Sequence, residues 1–85
     1  MRVCLAVFRS RTQVMAFVDY MNNLGVVCSV VPTPKEAKLG CGVSAKFPLS
    51  SVNVAKAVIS KYRLTAFYAF FMVTKNANKT TAVRI

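Results

Sequence analysis

The run Val3–Phe8 (VCLAVF) is apolar at every position and is closed at once by Arg9 and Arg11. It constrains the fold more than any other stretch. A strand with one wet face alternates apolar and polar residues, whereas an unbroken apolar run marks a central strand buried on both faces. The run is also too short for a signal peptide or a membrane span, so a cytoplasmic location and no membrane partner are expected.

Ser10-Arg11-Thr12-Gln13 follows in the form of a capping box, in which the Ser10 hydroxyl accepts an orphan amide and Gln13 reaches back. Val14, Phe17, Val18 and Met21 then recur at the spacing of one helix stripe, and Gly25 suits the left-handed residue after a helix. Val26–Val31 is β-branched and strand-like. In Val43–Phe47, alternation turns Val43, Ala45 and Phe47 to a core and Ser44 and Lys46 outward. Ser50 or Ser51 can cap a second helix with a stripe of Ala55, Val58, Ile59 and Tyr62. Thr65–Val73 is an aromatic strand, Lys75–Lys79 a polar turn, and Thr80–Ile85 either one more strand or a frayed tail.

The order β-α-β-β-α-β, with right-handed crossovers, predicts an α+β fold of the ferredoxin-like split βαβ type, with an extra C-terminal strand left open. Both helices would cover one sheet face. The other face would be half apolar, and a homodimer through it is expected.

The chain's 85 residues suffice for one domain. Its hydrophobic share of 55% exceeds what so small a core needs, again pointing to a surface covered by a partner or a second copy. Twelve Lys and Arg stand against Asp19 and Glu36, for a net charge of +10. That balance favours anionic partners, nucleic acid or an acidic protein face. The basic residues are dispersed, with no run of five.

The three cysteines, at 4, 28 and 41, form no CxxC pair, and the chain has no His. That argues against a disulfide framework, a zinc site or any other metal or cofactor, and fits a reducing compartment. Two distant carboxylates without a His also make a poor acid–base set, so a carrier or binding protein is expected rather than an enzyme. Cys4 and Cys28 lie inside apolar runs and read as core residues.

Cys41 differs. It ends the segment Pro32–Gly42 (PTPKEAKLGCG). Thr33 can cap a turn that begins at Pro34, and Glu36 completes a capping box, predicting a short helix from Pro34 to about Leu39. Gly40 supplies the left-handed exit, and Gly42 leaves the backbone beside the thiol uncovered. Lys35, Lys38 and Lys46 are near in sequence and favour the thiolate, while the negative end of the helix dipole opposes it. The plainer reading is a small buried cysteine at a strand entrance.

The combination of Pro32-Thr33-Pro34-Lys35-Glu36 with Cys41-Gly42, between a β-branched and an alternating strand, resembles the selenium/sulfur carrier-like family of small bacterial domains. The resemblance spans about Val3 to Phe67. It implies transient carriage of sulfur or selenium on Cys41 as a persulfide-type adduct. Thr33, Pro34, Lys35, Lys38, Gly40, Gly42 and Lys46 would surround the partner site, and the partners would be sulfur or selenium donor and acceptor proteins. Two alternatives rest on other features: a basic nucleic-acid-binding module, and a small dimeric structural or regulatory protein with an inert cysteine.

Overall fold

The computed structural model describes residues 2–37, 42–76 and 79–85. Strand β1 (Arg2–Phe8), helix α1 (Arg11–Asn23), strands β2 (Ser29–Pro32) and β3 (Val43–Pro48), helix α2 (Val52–Lys61) and strands β4 (Phe67–Asn76) and β5 (Lys79–Arg84) follow in that order. Single 3-10 turns precede β3 (Lys35–Ala37) and α2 (Leu49–Ser51). The class is α+β, as expected. The C-terminal segment forms a fifth strand rather than a frayed tail.

The sheet is antiparallel throughout, in the order β2-β3-β1-β4-β5. β1 lies at its centre, so that Leu5 faces Lys46 on β3 and Phe71 on β4. Successive side chains of β1 therefore enter two different cores. Cys4, Ala6 and Phe8 pack with Val14, Phe17, Val18 and Met21 of α1 and with Ala55 and Val58 of α2. Leu5 and Val7 pack on the opposite face with Ala69, Phe71, Ala82 and Ala37. Every residue from Cys4 to Phe8 is buried, which is what an unbroken apolar run requires.

Aromatic rings hold the helical face together. Phe17 lies 5.4 Å from Phe8 and 5.8 Å from Phe47, and Phe47 meets Phe70 edge-on at 6.1 Å. Tilted and edge-on pairs of this kind add about 0.5–1.5 kcal/mol each beyond the area they bury.

The cap at Ser10 forms as expected, and several other local expectations are corrected. Ser10 caps α1, accepting from the Gln13 amide at 3.3 Å. The Gln13 side chain does not turn back, because its Oε1 accepts from the Ala66 amide at 2.8 Å and ties the entry of β4 to the start of α1. Ser51 makes no side-chain cap bond; it ends the 3-10 turn that leads the chain into α2. β2 begins at Ser29, not Val26, because Asn22 grips Cys28 first. Its Oδ1 accepts from the Cys28 amide at 3.0 Å and its Nδ2 donates to the Cys28 carbonyl at 3.1 Å. Tyr62 falls just past the end of α2 and stacks on Tyr20 at 3.7 Å instead of entering the core.

Candidate functional site

The chain leaving β2 turns onto the face opposite the helices. Pro34 accepts from the Ala37 amide at 3.1 Å, closing the 3-10 turn. Ala37 is buried among Leu5, Val7, Phe71 and Ala82, and the turn reaches as far as β5. The face expected to be open is thus partly roofed by the segment that carries the Pro-Thr-Pro motif.

The base of this segment is closed by Thr33. Its amide donates to the Gly42 carbonyl at 3.1 Å, one step beyond the last β2–β3 pair, Pro32 with Val43. Its hydroxyl lies 2.7 Å from the Ser44 hydroxyl. Ser44, expected to face solvent, is fully buried. It does point away from the helices, paired with Val31 and Val7, but it is buried there with the Thr33 hydroxyl as its partner. Burying a hydroxyl is tolerable only with such a partner.

Gly42 is exposed and adopts φ +91°, in the left-handed region. A Cβ placed there would meet nothing within 4 Å. The glycine is needed for its backbone angle, not for want of space.

Thr33, Pro34, Lys35, Gly42 and Lys46 are thereby placed. Lys35 is exposed on the turn, and Lys46 is exposed on β3 beside Leu5 and Ser29. Cys41, Lys38 and Gly40 lie outside the described residues. So does Leu39, the expected end of the short helix, of which the described portion is the Lys35–Ala37 turn.

The other two cysteines are well defined. Cys4 and Cys28 are buried in the helical-face core. Burial pushes the thiol pKa of each from an ordinary 9.0 up to about 11. Neither offers a thiolate near neutral pH.

Beside the Lys35–Ala37 turn is a cleft of ≈ 310 Å³ that the sequence did not announce. Pro32 and Pro34 form one wall, Thr80 and Ala82 the other, and Val3, Leu5, Val31 and Val73 lie between them. Lys46 reaches its rim and also borders a second cleft of ≈ 290 Å³ with Val27, Ser29 and Pro48. The available signal was that β1 is apolar at Val3, Leu5 and Val7 as well as on its helical face, while two helices can cover only one face.

The aromatic strand forms no stacking platform. Phe70 and Phe71 are buried on opposite faces, and Tyr68 lies under the guanidinium groups of Arg9 and Arg84, 5.7 and 5.0 Å from its ring centre. Among the described residues no three metal-ligating side chains cluster, and no helix is long and apolar enough to cross a membrane.

A family model described as "Putative Se/S carrier protein-like" matches residues 3–68, from β1 into the start of β4. Neither the curated proteins nor the solved structures compared with the chain yield a match.

Proposed function

Because the chain belongs to the Se/S carrier-like family, we propose that it carries a sulfur or selenium atom on Cys41 and hands it to a partner protein. The observation that carries this reading is the state of the other two thiols. Cys4 and Cys28 are buried with pKa values near 11, which leaves Cys41, next to the exposed Gly42, for any thiol chemistry at neutral pH.

The transfer is a thiol–persulfide exchange. The Cys41 thiolate attacks the outer sulfur of a donor persulfide, a new S–S bond forms at Cys41, and the donor S–S bond breaks. The electron pair of the broken bond leaves on the donor as a thiolate. No outside oxidant is required, because the transferred sulfur keeps its oxidation level. Lys35 and Lys38 are near Cys41 in sequence, and positive charge beside a thiol favours the attacking thiolate.

The strand order β2-β3-β1-β4, with β3 between β1 and β2, supports reading the first four strands as a ferredoxin-like split βαβ arrangement with β5 added at one edge. On that scaffold the motif segment emerges between two paired strands and is closed at its base by Thr33.

Alkylation rates measured against pH test the proposal. A carrier cysteine reacts faster than a simple thiol near pH 7, while a rate equal to that of a simple thiol would favour the inert-cysteine alternative. The nucleic-acid alternative rests on net charge and predicts steeply salt-dependent binding in a gel shift at two salt concentrations. A flat response at both removes it.

A further inference from the structure

The cleft beside the Lys35–Ala37 turn combines two properties that specify an occupant. Its floor is aliphatic, with Val3, Leu5 and Val73 contributed by the two central strands. Its surroundings are cationic. Lys46 lines the cleft on the β3 side. Lys75 is exposed on β4 and pairs with Thr80, a lining residue. Two positions along β4 from Val73, it projects from the same sheet face. Lys35 is exposed next to the lining residue Pro34. Asp19 belongs to α1, on the opposite face of the sheet, and Glu36 has a side chain outside the described residues.

We infer that this cleft docks an acidic segment of a partner protein that presents one branched aliphatic side chain between carboxylates. The aliphatic group would enter between Pro34 and Ala82, and the carboxylates would meet Lys46 and Lys75. Three competitors fit less well. A single-stranded nucleic acid would meet the charge but no exposed ring on which to stack, since among the described residues no aromatic side chain lines the cleft. A second copy of the chain would bring another net charge of +10 against the same lysines. A neutral apolar peptide would leave the lysines without a role. The inference rests on the carrier reading only for the identity of the partner, which would then be the donor or the acceptor; the docking itself needs no thiol.

Fluorescence anisotropy with a labelled acidic peptide containing one central leucine tests this, using the full chain and its Cys41→Ser variant. Binding should weaken about tenfold or more when the leucine becomes serine, and by a similar factor in Lys46→Glu. Thr80→Trp, an exposed position on β5, should abolish it by filling the cleft without disturbing the core. Equal binding by wild type and Cys41→Ser is expected, so a failure of the carrier chemistry would leave this result standing. The inference is overturned by binding insensitive to the leucine or to Thr80→Trp, by tighter binding of a charge-matched oligonucleotide, or by self-association that occludes the peptide.

Discussion

The hydroxyls of Thr33 and Ser44 lie 2.7 Å apart, and Ser44 is fully buried. Thr33→Val removes the partner and leaves the Ser44 hydroxyl buried alone, which costs about 1–3 kcal/mol. In a domain of this size that lowers the melting temperature by about 4–8 °C per kcal/mol. The double variant Thr33→Val/Ser44→Ala removes both polar groups and should melt higher than Thr33→Val alone. Thermal unfolding followed by circular dichroism reads both.

Asn22 makes a comparable clamp, on backbone. Asn22→Ala strips the two side-chain bonds from the Cys28 peptide groups and should cost about 1–2 kcal/mol in urea unfolding. Asn22→Asp keeps the acceptor and loses the donor, so its loss should be smaller. Equal losses for the two variants would mean that the Nδ2 contact contributes most of the stabilisation.

Those two contacts also show where sequence reasoning stops. The α1 stripe was legible because a helix buries one face at a fixed spacing, and Val14, Phe17, Val18 and Met21 are the buried set. The double burial of β1 was legible because each of its positions is apolar. β2 was read too early, because no periodicity reveals that Asn22 holds Cys28 outside the strand, with Val27 left 80% exposed. Ser44 was read as solvent-facing, because alternation reports the face of a residue and not what later covers it. β5 was read only as an alternative because a polar edge strand that buries little beyond Ala82 carries almost no hydrophobic signal. For the site, the turn at Pro34 was legible from turn chemistry. Thr33, expected as its cap, has its hydroxyl 2.7 Å from that of Ser44. The left-handed φ of Gly42 was not anticipated, nor was the cleft. It is formed by Pro34 and by residues from all five strands that no local pattern connects.

The raised thiols of Cys4 and Cys28 give a pH dependence of definite sign. Both are pushed from 9.0 up to about 11 by burial. The unfolded chain therefore loses these protons first, near pH 9, and stability falls as pH rises from about 9 to 11. The slope approaches about 1.4 kcal/mol per pH unit for each thiol. The variant Cys4→Ala/Cys28→Ala should show a shallower slope over that window, whatever its absolute stability. An unchanged slope would assign the titration to other groups.

Gly42 is predicted to resist substitution through its backbone angle. Its φ of +91° strains any side-chain-bearing residue, although a Cβ would meet nothing within 4 Å. Gly42→Ala should cost about 1–2 kcal/mol, and Gly42→Asn less, because asparagine tolerates the left-handed region better. Chemical denaturation of the two variants against wild type separates angle from crowding, since crowding would make Asn the worse of the pair.

The central claim is that one cysteine of three carries sulfur. Intact-mass spectrometry after exposure to a persulfide donor tests it most directly. The account predicts one added sulfur atom on wild type and on Cys4→Ala/Cys28→Ala, and none on Cys41→Ser. An adduct that survives Cys41→Ser, or no adduct on wild type, would contradict it.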